Sequence, residues 1–199
     1  MRVNRAQAEE NRRTVVETAS QLFRERGFDG IGLSELMGAA GLTHGGFYKQ
    51  FKSKDDLIAE ACDRALTSGA ISWRRTATEA AEAGEGVLAA LVRRYLDHTH
   101  RDRVGTGCVF AALAADAARH GPELPRRFEA GIKTYAGILD EAMRAGAAGA
   151  DVADDAALAA FSTMVGALLL SRAVDDEAYA RRILDAAAAS LLGRGGDAA

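Results

Sequence analysis

The 199-residue sequence predicts an all-α protein, with an N-terminal three-helix helix-turn-helix domain and a larger helical C-terminal domain, about nine helices in all. Three observations lead there. Apolar residues recur at three- and four-residue spacing along nearly the whole chain, and no segment alternates as a strand would. Only two prolines occur while alanine is abundant, and these residues sit at opposite ends of the helix-propensity scale. Hydrophobic residues make up 48% of the chain, enough for a packed core.

The first helix is expected from about Ala6 to Arg26, with an apolar stripe of Val16, Ala19, Leu22 and Phe23. Gly27 stands at the C′ position, where a left-handed residue closes a helix, and Phe28 can fold back on the last turn. A short second helix covers about Leu33–Ala40 and ends at Gly41. A third runs from about Thr43 to Phe51, with Thr43 as its N-cap. Ser53 then caps the next helix, with Asp56 three residues on in a capping-box arrangement. That helix carries Leu57, Ile58, Ala61, Cys62, Ala65 and Leu66 inward.

The remaining helices follow the same logic. Val87, Leu88, Leu91, Val92, Tyr95 and Leu96 mark one, and Cys108, Val109, Phe110 and Leu113 a shorter buried one. Phe128, Ile132, Tyr135, Leu139 and Met143 mark the next, followed by a Gly/Ala-rich loop at Ala145–Asp151. Leu158, Phe161, Val165, Leu168 and Leu169 lie on an apolar helix of about Ala153–Arg172. Tyr179, Ile183, Leu184, Leu191 and Leu192 mark the last, of about Glu177–Leu192, with a frayed tail from Gly193. The expected domains are 1–54 and 55–199.

The net charge of −3 conceals an asymmetry. Met1–Lys54 carries 9 Lys/Arg against 6 Asp/Glu, and the remainder 16 against 22. A mildly basic domain on an acidic body suits a phosphate-bearing partner at one end only. The two cysteines, Cys62 and Cys108, lack disulfide or zinc spacing. The polar N-terminus shows no signal peptide, and no apolar run is long enough to span a bilayer, so a cytoplasmic location is expected.

Leu33–Phe51, LSELMGAAGLTHGGFYKQF, carries the functional signal. Leu33, Leu36, Met37 and Ala40 form the inner face of one short helix, Leu42 fills the turn, and Phe47 and Phe51 anchor the second. Thr43, His44, Gly45, Tyr48, Lys49 and Lys52 then face outward. Amides at the start of the second helix suit phosphate. Tyr48 and Lys52 suit phosphates, while Thr43, His44 and Lys49 are placed for base edges. Two glycines, Gly45 and Gly46, in so short a helix cost about 1 kcal/mol each relative to Ala, which points to a close-contact function.

The stretch GFDGIGLSELMGAAGLTHGGFYKQFKSKDDL, Gly27–Leu57, closely resembles the signature of the TetR family of repressors. The matching elements are Gly27-Phe28, Ala40-Gly41-Leu42, Gly45, Phe47-Tyr48, and Phe51-Lys52-Ser53-Lys54 with the acids before Leu57. The resemblance implies that Thr43, His44, Gly45, Tyr48, Lys49 and Lys52 contact DNA. It also implies a helical body with a small-molecule pocket and a homodimer formed by the last two helices. The chain departs from the pattern at Ile31 and Gly32, where the family has Thr or Ser near the helix start, and at His44 and Gly46. Gly32 can still cap the second helix, while the operator sequence does not transfer.

The implied regulator is a repressor released from a palindromic operator by an apolar or weakly polar effector. Candidate pocket residues are Trp73, Tyr95, Cys108, Phe110, Phe128, Tyr135, Phe161 and Met164, for each of which plain core packing is the competing explanation. Cys108 reads as a small buried hydrophobe, with an oxidant-sensing thiol as the alternative. His98, His100 and Asp102 alternate and share no helix face, so no metal and no cofactor are expected. The competing functional classes are a helical protein-interaction module and a small-molecule enzyme. Neither a dinucleotide fingerprint, a Walker loop nor a Gly-x-Ser-x-Gly elbow occurs, so no enzyme is expected.

Overall fold

The computed structural model describes residues 5–146, 153 and 155–193, and none of these lies in a strand. The helices are α1 (Arg5–Arg26), α2 (Leu33–Ala39), α3 (Lys54–Glu82), α4 (Val87–Tyr95), α5 (His98–Asp102), α6 (Val109–Arg119), α7 (Glu123–Gly146), α8 (Ala156–Arg172) and α9 (Glu177–Gly193). Two 3-10 segments, His44–Lys49 and Val104–Thr106, complete the order. The described residues divide into two compact units, which fall within Met1–Thr67 with Val104–Phe128, and within Ser68–Arg103 with Glu129–Ala199.

In the first unit, backbone chemistry sets each helix end. Gly27 has φ +75°, its N–H meets the Phe23 carbonyl at 2.8 Å, and Phe28 returns edge-on to Phe23 at 5.7 Å. Gly32 caps α2 in an extended conformation, so the departure at Ile31-Gly32 shifts the cap and keeps the helix. Gly41, φ +71°, ends α2, and the Leu42 N–H bonds the Met37 carbonyl at 2.9 Å. At the start of α3, Ser53 Oγ accepts the Asp56 N–H at 3.1 Å while Asp56 Oδ2 accepts the Lys52 N–H at 3.2 Å. This is a reciprocal cap reaching one residue further back than the usual box. Val15, Ala19, Phe23, Leu36, Met37, Phe47, Leu57 and Ile58 form the core of this part.

The Val104–Arg119 stretch packs within the same unit. Arg24 Nε–H donates to the Gly105 carbonyl at 2.6 Å, and His120 meets Phe28 edge-on at 5.3 Å and Asp55 Oδ1 at 3.0 Å. In the second unit two arginines interlock α5 with α8. Arg101 donates to the Ser171 carbonyl at 2.9 Å, and Arg172 donates to the carbonyls of Arg101 and His100 at 2.9 and 3.0 Å. Each guanidinium thus satisfies carbonyls left open at a helix C-terminus.

Several expectations change. Val15 rather than Val16 is fully buried on α1. Ile132, Leu158, Leu169 and Tyr179, expected inward, are exposed, as is Leu170. On α8 apolar residues surround the helix, so periodicity could not choose its buried face. The third helix is a 3-10 segment of six residues rather than an α-helix of Thr43–Phe51, consistent with the low helix propensity of Gly45-Gly46. Helix α5 was not expected, although Asp97 is a good N-cap and accepts the Thr99 N–H at 2.8 Å. Ala145 and Gly146 close α7, while the rest of the expected Ala145–Asp151 loop and the tail beyond Gly193 lie outside the described residues.

Candidate nucleic-acid interface

The His44–Lys49 segment is fixed from beneath. Phe47 is fully buried and Phe51 nearly so, and their rings stack at 5.4 Å with 26° between planes. Arg12 lays its guanidinium over Phe51, 4.4 Å from the ring centroid, and grips Glu60 through two hydrogen bonds of 2.8 and 2.5 Å. Lys54 Nζ donates to the Ile31 carbonyl at 2.9 Å, tying the start of α3 to the approach to α2. Arg12 and Lys54 are positioning residues: the sequence motif did not include Arg12, and it included Lys54 without this contact. Their signal lies in long-range pairing, which a local pattern does not carry.

On this support, Thr43, His44, Gly45, Tyr48, Lys49 and Lys52 are all exposed. Tyr48 is 66% exposed despite packing its ring edge-on against Phe47 at 5.1 Å. His44 meets Tyr48 at 6.2 Å, so two aromatic rings stand side by side on the outer face. Neither Lys49 nor Lys52 forms an ion pair among the described residues. The acids nearest in sequence are occupied, Asp55 by His120 and Asp56 by the Lys52 backbone N–H. The surface is therefore polar and cationic, and rings, amides and ammonium groups can meet a duplex groove.

The eight candidate pocket residues fall into two groups. Trp73, Tyr95, Tyr135, Phe161 and Met164 belong to the second unit. Trp73 lies edge-on to Tyr95, Tyr135 and Phe161 at 5.6, 4.9 and 6.0 Å, and all but Trp73 are buried. Phe110 and Phe128 pair edge-on at 5.6 Å in the first unit, where Cys108 is a half-buried N-cap of α6. His98 is exposed beside Asp97, whereas the half-buried His100 gives its Nδ1–H to the Tyr95 carbonyl at 2.6 Å. Burial holds the His100 pKa below the ordinary histidine value. No three His, Cys, Asp or Glu side chains converge as metal ligands among the described residues.

An all-helical chain that presents a polar, cationic helix-turn-helix surface belongs structurally with DNA-binding regulators. The model of bacterial regulatory proteins of the tetR family matches residues 15–61, and that of the tetracyclin repressor-like C-terminal domain matches residues 84–187. The chain belongs to the TetR family of transcriptional regulators. It is 31% identical over 170 residues to the HTH-type transcriptional regulator Rv0196 of Mycobacterium tuberculosis, covering 81% of this chain and 84% of that one. It is 26% identical over 148 residues to the HTH-type transcriptional repressor NemR of Escherichia coli, covering 72% of each. The crystal structure of reduced NemR matches with a TM-score of 0.77 at 20% identity, over 92% of this chain and 97% of that one. AibR, solved with isovaleryl coenzyme A and operator DNA, matches with a TM-score of 0.61 at 18% identity, over 90% and 97%. At these identities the two structures show a shared fold.

Proposed function

We propose that this chain is a homodimeric, ligand-responsive repressor that reads a palindromic operator with Thr43, His44, Gly45, Tyr48, Lys49 and Lys52. The observation that carries the reading is that all six are exposed on or beside the His44–Lys49 segment, while the neighbouring apolar residues Phe47 and Phe51 are buried beneath it. Residues 1–54 are the proposed DNA-binding domain and 55–199 the effector-binding and dimerisation domain. The exposed Leu158, Leu169, Leu170 and Tyr179 on α8 and α9 support a dimer formed by these helices, since apolar side chains of this size on one helix pair favour burial against a second copy.

The effector we propose is a small apolar or weakly polar molecule held by Trp73, Tyr95, Tyr135, Phe161 and Met164 of the second unit; Cys108, Phe110 and Phe128 of the first unit are a separate group of candidates. A ligand that prefers one dimer state shifts the population away from the operator-competent one. Helix α3 contributes residues to both compact units and is the proposed lever. We assign the chain no catalytic activity, cofactor or metal. A cytoplasmic location follows from the proposed DNA partner, and no described helix is long and apolar enough to cross a membrane.

The test is selection of bound fragments from a randomised duplex pool at low salt. Recovery of two-fold symmetric sites, bound with salt-dependent affinity, is expected. Absence of any enriched fragment would overturn the reading.

A further inference from the structure

Gly45 and Gly46 occupy positions that the protein's own packing leaves open to alanine. Neither has positive φ. A Cβ on Gly45 would meet nothing within 4 Å, and one on Gly46 would meet only Met37 Cε at 3.8 Å and Thr43 Oγ1 at 3.9 Å. Alanine at either position would favour a helix.

The segment is wound tightly. The Gly46 N–H bonds the Thr43 carbonyl and the Gln50 N–H bonds the Phe47 carbonyl, both at 2.9 Å and both three residues apart. At the end α-type spacing enters, where the Phe51 N–H reaches the Phe47 carbonyl at 3.0 Å. A 3-10 run of six residues is long for a form with inferior hydrogen-bond geometry. Thr43 takes the extended N-cap conformation, yet its side chain makes no capping bond. Gln50, which follows the segment, buries its Oε1 without a hydrogen-bond partner, a costly arrangement. The buried Phe47 and Phe51 hold the segment in place, so these costs persist in the free protein.

We propose that the recognition segment is an induced-fit element, rewinding from 3-10 to α about Gly46 on the duplex while Gly45 leaves its outer surface bare for the sugar–phosphate backbone. The inference rests on the DNA-binding reading above. It treats the two glycines differently because their missing side chains point to different places. Gly45 is exposed and faces open space, whereas Gly46 faces Met37 and Thr43, which belong to the protein itself. Gly46→Ala pre-forms the wound state without touching DNA. Gly45→Ala sets a methyl group where the duplex approaches.

The experiment uses the duplex that the wild-type chain recovers from a randomised pool. Gly46→Ala should tighten binding about fivefold, the gain of one Gly-to-Ala exchange in a helix. Gly45→Ala should weaken it about tenfold or more, while both variants melt no lower than wild type. Amide exchange over residues 44–51 should slow on duplex binding in wild type, and should already be slowed in free Gly46→Ala. If wild type binds duplex but both variants shift affinity the same way, or neither shifts, or exchange is unaltered by binding, induced fit is overturned and DNA binding stands. If wild type binds no duplex, the DNA-binding reading falls and this inference with it.

Discussion

The backbone carbonyl of Gly105 receives the Nε–H of Arg24 at 2.6 Å, joining a 3-10 turn to the last turn of α1. The approach is close enough that a Cβ on Gly105 would collide with the Glu25 carboxylate and with Gln21 Cγ. The exposed carboxylate can swing aside, but the Gln21 stem cannot do so freely. Gly105→Ala should therefore lower stability by about 1–2 kcal/mol, read from urea denaturation midpoints at unchanged slope. A loss below about 0.3 kcal/mol would mean that the turn moves without cost.

In the proposed operator contact, Lys49 and Lys52 should supply the salt dependence. Each neutralised phosphate contributes to the slope of log affinity against log salt, so Lys52→Ala should reduce that slope by about 1. His44→Ala should instead change discrimination among operator variants by about 1–3 kcal/mol, with the slope nearly unaltered. Equal binding of every operator variant by wild type and His44→Ala would place His44 in solvent rather than on a base.

His100 predicts a pH dependence of folding. Its Nδ1–H is committed to the Tyr95 carbonyl, and burial, reinforced by the Arg172 charge, holds its pKa below the unfolded value. Between the two pKa values the unfolded chain binds more protons than the folded one, so stability is present above the unfolded pKa and is lost as pH falls. Urea midpoints should decline as pH drops from about 7 to about 5.5. His100→Asn should flatten that part of the curve. A wild-type midpoint independent of pH across this window would refute the assignment.

The two thiols should differ in reactivity. Burial pushes the Cys62 pKa up to about 12, so almost no thiolate is available, whereas Cys108 is only half-buried. An aromatic disulfide reagent should label one thiol per native chain, and none in Cys108→Ser. Labelling of Cys62 should then track global unfolding.

Leu169 is half exposed on α8 and lies on the face assigned to the dimer. Leu169→Glu should yield monomers by light scattering and lose operator binding with them, while the helical circular dichroism spectrum is retained. An unaltered dimer would move the interface elsewhere. A charge buried between copies costs several kcal/mol unless paired, which sets the direction of the effect.

What the sequence by itself determined are the features written in neighbouring residues. Gly27, Gly32 and Gly41 bound the helices where local backbone chemistry requires, Ser53 and Asp56 cap α3, and the Gly27–Leu57 signature carries the family. The tertiary structure decided which face of an apolar helix is covered, so that Phe161 and Leu168 are buried while Leu158 and Leu169 are not. It also decided how the recognition segment is wound and that Arg12, Lys54 and Arg24 hold partners 48, 23 and 81 residues away. The physical reason is one of range. Propensity and capping act within a few residues, but burial and long-range pairing depend on what the rest of the chain brings alongside.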